Sequence, residues 1–229
     1  MAATALPPTG GTPEPAKTCD ASGMAEIHRM FRHGFGEGPD IVRRVAAGDT
    51  AHADVVWTQL NMLSAGLHGH HDGEDQRLWG PLEERAPACT VHVERMKAQH
   101  ARMLVHLNEL DAALPAWRVS ASPADAEPVL AALDGINAAL AEHLPDEEAN
   151  IVPVMETVIT EEESRWFEEH GKRSAPKGQS WYALGLILDS QPDGGAEWQR
   201  KHLPAPARLA WRLIGKPKYE KRRVVLEGR

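Results

Sequence analysis

A His-x-x-x-Glu pattern followed at once by a second acid occurs twice in this 229-residue chain, and it restricts the fold more than any other feature. The first copy is His70-His71-Asp72-Gly73-Glu74-Asp75-Gln76-Arg77-Leu78-Trp79-Gly80-Pro81. The second is His143-Leu144-Pro145-Asp146-Glu147-Glu148-Ala149-Asn150-Ile151-Val152-Pro153. Aligned, His70 falls on His143, Glu74 on Glu147, Asp75 on Glu148, and Leu78 on Ile151. Residues four apart sit one above the other on a helix face, so each copy presents an imidazole and a carboxylate together. His71 and Asp75 offer the same spacing, rotated by one residue.

The repeat extends upstream. His28 precedes His70 by 42 residues, and His100 precedes His143 by 43. Each half therefore reads as a helix with one His, a connection, then a helix with His-x-x-x-Glu. Two such hairpins predict a four-helix bundle with four His and two Glu in one layer. Glu74 and Glu147 lie on the apolar stripes of their helices. A buried carboxylate is costly without a cationic partner. Imidazole and carboxylate donors suit a pair of borderline transition-metal ions, with iron the natural candidate.

Composition is consistent with this reading. The hydrophobic fraction of 42% is enough for a core, and the apolar period is helical throughout, so the fold is expected to be all-α. The net charge of −8 argues against nucleic acid as the main partner. Cys19 and Cys89 make neither a metal spacing nor a disulfide framework, which fits a reducing cytoplasm. No apolar run reaches membrane-spanning length, and the N-terminus lacks the features of a secretory signal.

Taken in order, residues 1–19 are rich in Pro, Thr, Gly and Ala and read as a disordered tail. Residues 20–158 form the expected bundle. Its first helix covers about 21–36, capped by Asp20 or Ser22, and a short piece at 41–47 ends at Gly48. Helix two opens at Thr50 and runs to about Glu84, with Pro81 kinking its end. Its stripe of Leu63, Leu67, His70 and Glu74 steps by four, three and four. On that stripe His70 faces the centre and His71 only borders it. Helix three covers about 90–114, capped by Thr90, with a loop at 115–121. Helix four starts at Ser122-Pro123 and reaches about Val158, bending at Pro145. Residues 159–229 are expected as short helices packed on the bundle, beginning with the capping-box pattern Thr160-Glu161-Glu162-Glu163. Residues 198–229 are rich in Trp and basic side chains. These Trp residues are expected to pack inward, although such a tail could touch an acidic partner or a membrane surface. His33, His52, His68, His92, His106, His170 and His202 read as ordinary surface or core histidines.

Over about residues 20–158 the chain resembles bacterial hemerythrin-like, HHE cation-binding domain proteins. The matching motifs are His28, His70-x-x-x-Glu74-Asp75-x-x-Leu78-Trp79, His100, and His143-x-x-x-Glu147-Glu148-x-x-Ile151-Val152-Pro153. The resemblance implies an up-down-up-down bundle holding two iron ions (Fe2+/Fe3+) with a bridging oxo or hydroxo group. Carried over, His28, His70, His100 and His143 are terminal ligands, and Glu74 and Glu147 are bridges. His71, Asp75, Met96 and Glu148 are supporting neighbours. Oxygen-carrying hemerythrins have a further His one turn before the helix-three ligand, where this chain has Met96. One iron is thereby expected to keep an open position or take another ligand.

The resemblance implies binding of, or reaction with, dioxygen, nitric oxide or peroxide, in sensing, scavenging or redox catalysis. An enzyme on these ligands would be a non-heme di-iron oxidoreductase. Two other readings share the ligands: an iron-handling or interaction module with structural metals, and an oxygenase acting on an organic substrate.

Overall fold

The computed structural model describes residues 16–174 and 178–229. The expected tail at 1–19 thus lies almost wholly outside the described residues. Helices dominate, and no strand occurs among the described residues. The first part comprises α1 (Ser22–Gly36), α2 (Gly38–Arg43), α3 (Thr50–Arg77), α4 (Trp79–Arg85), α5 (Thr90–Ser120), α6 (Pro123–Asn150) and α7 (Val152–Val158). It continues with α8 (Glu161–Ser174), α9 (Ser180–Asp189), α10 (Ala196–His202), α11 (Ala205–Ala210) and α12 (Lys216–Leu226). A π-helical turn, Trp211–Gly215, joins the last two.

The fold is all-α, and α1, α3, α5 and α6 form a ring. α5 packs on α3 and α6, and α1 packs on the same two helices from the other side. Consecutive long helices are neighbours, as an up-down-up-down order requires. Around the ring, α8 lies against α3, and α9 and α12 lie against α1 and α3.

The core is divided into two apolar clusters by a polar layer. Phe31, Leu63, Leu67, Met103, Leu140 and Leu144 belong to the larger one. Ala21, Leu78, Trp79, Val93, Met96, Ile151 and Met155 belong to the smaller one. On each bundle helix the predicted His or Glu falls between a residue of one cluster and a residue of the other. The same separation on four helices brings the polar residues to one level.

Several boundaries differ from expectation, each for a physical reason. Helix two stops at Arg77, not at Glu84, and helix four stops at Asn150, not at Val158. The two breaks are equivalent: Leu78 has φ −98° and ψ −50°, and Ile151 has φ −106° and ψ −51°. Each amide still donates to the backbone oxygen of the Glu of its repeat, Leu78 to Glu74 O at 2.8 Å and Ile151 to Glu147 O at 2.9 Å. Pro81 and Pro153, which cannot donate inside a helix, sit in the first turns of α4 and α7, where no donor is needed. Pro145 is carried within α6. Helix three continues through Pro115 to Ser120, because Leu114 and Trp117 are each 1% exposed and hold that turn against the core. α3 opens at Thr50 as expected, and Asp49 caps it by accepting from the His52 amide. Thr90 Oγ1 turns back to Pro87 O and makes no cap to α5. Ser122 caps α6 and accepts from the Asp125 amide, and Thr160 with Glu163 forms the reciprocal capping box.

Candidate metal centre

All six predicted ligands meet in the polar layer. α1 supplies His28, α3 supplies His70 and Glu74, α5 supplies His100, and α6 supplies His143 and Glu147. His28, Glu74, His100, His143 and Glu147 are at most 4% exposed. Two groups of potential ligand atoms lie within 4.8 Å of one another: His28, His70, Glu74 and Glu147, and His71, Glu74, His100 and His143. Glu74 belongs to both. Glu147 also spans them, since its Oε2 is 3.3 Å from His28 Nε2 and 3.5 Å from His143 Nε2.

His71 does not merely border the centre. It is 7% exposed, and its ring stacks on His100 with centroids 4.0 Å apart and meets His143 edge-on at 5.2 Å. His70 instead turns toward α1, where its Nε2 is 3.1 Å from His28 Nε2 and its ring is 5.5 Å from Phe31. α3 touches α1 on one flank and α5 on the other, so adjacent residues about 100° apart can both face inward. A single stripe cannot represent a helix with two neighbours. In the second repeat the equivalent Leu144 is equally buried and merely apolar.

The centre is short of partners. Among buried atoms without a hydrogen bond are His71 Nε2, His100 Nε2, His143 Nε2, and both carboxylate oxygens of Glu74 and of Glu147. A concentration of orphaned donors and acceptors of this kind is costly in a folded protein, and a cation removes the cost. Seven side chains of imidazole and carboxylate type, aimed at two overlapping points, fit a metal pair. The charge balance of the metal-free chain agrees. Burial, followed by the nearby Glu147 charge, pushes the Glu74 carboxyl well above its usual range. Burial also works against the charged form of Glu147, but the adjoining imidazoles, His28 foremost, override it and hold that carboxyl low. Desolvation drives His70 and His71 well below the usual imidazole range and His143 down to about 4. Desolvation opposes protonation of His28 as well, yet Glu147 and Glu148 prevail and raise it. Neutral imidazoles beside carboxylates are the form in which such groups bind metal.

Three of the ring nitrogens facing away from the centre are anchored. His28 Nδ1 donates to Glu148 Oε1 at 2.9 Å, and Arg32 donates to the same oxygen at 2.9 Å. His100 Nδ1 donates to Asp75 Oδ1 at 2.9 Å, which also accepts from Trp79 Nε1 at 2.7 Å. His143 Nδ1 donates to Gln99 Oε1 at 3.0 Å. These bonds fix the tautomer and leave each Nε2 lone pair facing inward. Asp75 and Glu148, the acids that follow the two Glu residues, thus hold rings in place. Gln99 was not anticipated. Its signal is a polar residue on the apolar face of α5, 4% exposed, between Met96 and Met103. Met96 itself is fully buried in the smaller apolar cluster.

Of the remaining histidines, His52 bonds to Leu226 O, His68 to Asp111, His92 to Arg95, His106 to Glu109 and His202 to Glu26. His170 stacks on Trp166.

Fold and site together define a metal-binding helical-bundle protein. The hemerythrin HHE cation binding domain profile matches residues 21–155, and the chain belongs to that family. Comparison with curated proteins and with solved structures returned no match.

Proposed function

We propose that the layer holds two iron ions and that the protein binds or reacts with dioxygen, nitric oxide or peroxide. The observation that carries this reading is the pair of donor groups overlapping at Glu74. In this reading His28 and His70 would hold one ion and His71, His100 and His143 the other, with Glu74 and Glu147 as carboxylates available to both. An iron pair supplies electrons and open coordination positions to small oxygen- and nitrogen-containing ligands.

The chain's own residues do the rest. Asp75, Glu148 and Gln99 orient three imidazoles. Phe31 on one side and Trp79 on the other border the rings, at 5.5 Å from His70 and 5.5 Å from His100, and keep bulk water away. His71 supplies a third imidazole beside His100 and His143, compensating for Met96. The donor set carries only two carboxylates, so an iron pair there keeps a net positive charge that favours anionic ligands.

Iron-loaded protein tests the reading. Two irons per chain by elemental analysis are expected, with a visible spectrum that changes on adding oxygen, nitric oxide or peroxide. One metal per chain would count against a dinuclear centre. Two irons with a spectrum indifferent to all three ligands would indicate structural metals.

A further inference from the structure

The last helical limb has an outer face unlike the rest of the surface. α11, the π turn and α12 run without interruption from Ala205 to Leu226, roughly 33 Å at about 1.5 Å per residue. Trp211, Gly215, Tyr219 and Leu226 turn inward and are buried. Opposite them stand Leu209, Leu213 and Val224, with Ile214 and Val225 alongside, and Leu213 is 62% exposed. Among the described residues, five of the nine exposed large apolar side chains lie within this one limb.

Basic side chains flank that ridge on both sides. By helical spacing Arg212 and Lys216 fall on one flank, Lys218 and Lys221 on the other. Residues 205–229 carry eight Lys and Arg against two Glu, a net +6 in a chain whose total is −8. The neighbouring bases are committed inward: Arg223 to Glu37, Arg222 over the Tyr182 ring, and Arg208 to Leu203 O. Lys216 is 3.7 Å from Glu220, the one acid on the outer face. Arg212, Lys218 and Lys221 have no ion-pair partner among the described residues.

We propose that this limb docks on an anionic lipid surface. Leu209, Leu213 and Val224 would enter the headgroup boundary, with the flanking bases against lipid phosphates. An apolar ridge with cations on both sides is the pattern of helices that lie in a bilayer interface. Leu213, Ile214 and Val225 are exposed outside the groove of about 890 Å³ that Leu209, Arg212, Lys216 and Val224 help to line. Charge segregation sets the orientation: the other residues sum to −14 and are repelled from an anionic membrane, so the limb leads.

Flotation of the metal-loaded full chain with vesicles tests this. Binding is expected to phosphatidylcholine vesicles containing phosphatidylserine, and not to phosphatidylcholine alone, with loss at high salt. Leu209→Glu with Leu213→Glu should abolish it, and Lys218→Gln or Lys221→Gln should weaken it roughly fivefold each. Circular dichroism and metal content should be unchanged, since these side chains are exposed. Equal binding to neutral vesicles, no binding to anionic ones, or indifference to all the variants would overturn the proposal. A concentration-dependent dimer that the Leu variants abolish, without vesicle binding, would assign the ridge to a second copy instead.

Discussion

At the residue scale, His71 stacks on His100 and meets His143 edge-on, in the same layer as the side chains of the repeat. The six side chains His28, His70, Glu74, His100, His143 and Glu147 that meet in the polar layer are legible in the sequence because each interrupts an apolar stripe within a repeat. His71 is not, because its counterpart Leu144 cannot ligate and the regular apolar stripe runs through His70. From sequence, His71→Ala should leave two metals bound. The geometry predicts the opposite: His71→Leu, which copies the second repeat and keeps the position filled, should weaken binding by more than about tenfold and drive content toward one metal per chain. Retention of two metals at wild-type affinity would return His71 to a supporting role. Glu74 gives a second prediction, for metal-free protein. Its folded-state pKa is raised, so its charged form opposes folding as pH climbs above the usual carboxylate range. Glu74→Gln should therefore raise the apo melting temperature at pH 7 while abolishing a bridged metal pair. Histidines act in the other direction. His143, held at about 4 against an ordinary 6.5, favours folding above pH 6.5, and that contribution is lost as pH falls toward 4. The shift corresponds to at most about 3 kcal/mol. His70 and His71 add in the same sense, and His28 opposes. Apo protein should thus melt earlier at pH 4.5 than at pH 7, and metal should flatten the profile by fixing the neutral imidazoles.

At the element scale, helix existence was readable and helix ends were less so. Prolines misled in both directions. Pro115 lies within a helix because Leu114 and Trp117 anchor that turn, whereas Pro81 and Pro153 mark restarts just beyond the true breaks. Those prolines place the breaks only to within a few residues, and the equivalence of Leu78 and Ile151 in the repeat narrows them to single positions. Glycine behaviour on α3 is also set by neighbours. A Cβ on Gly66 would meet only the Phe31 ring, at an ordinary 3.5 Å, so Gly66→Ala should stabilise by about 1 kcal/mol through helix propensity. At Gly73 a Cβ would lie 3.1 Å from His170 and 3.7 Å from Trp166, because α8 crosses the helix there. Gly73→Ala should gain less or nothing, and it should recover the propensity gain only when His170 is shortened to Ala. Chemical denaturation of the three variants measures this directly. Equal gains at Gly66 and Gly73 would show that α8 packs more loosely on α3.

At the scale of the whole molecule, the question is what ties the basic limb to an acidic bundle. Burial of Tyr182, Trp211, Tyr219 and Leu226 supplies area, but one polar network fixes the position. Arg223 donates through both terminal nitrogens to Glu37, at 2.7 and 2.8 Å. Glu37 sits between α1 and α2 and also accepts from Gln59 Nε2 of α3 at 2.6 Å. Gln59 in turn accepts from the Tyr182 hydroxyl of α9. Four elements thus meet on a chain of hydrogen bonds with Arg223 at its end. Both partners of the ion pair are more than four-fifths buried, so removing one leaves the other largely desolvated. Breaking such a pair costs about 3–5 kcal/mol when fully buried, and somewhat less at this exposure. Arg223→Met, which keeps the alkyl packing, should therefore release α9 and α12 while sparing the metal layer, whose donors lie on α1, α3, α5 and α6. Hydrogen exchange is expected to show α9–α12 losing protection, with α3, α5 and α6 unchanged and two metals retained. Glu37→Gln with Arg223→Met should recover part of the loss, because no buried charge is then left alone. If Arg223→Met instead strips metal, the limb would be an integral part of the centre and not a unit pinned to its outside.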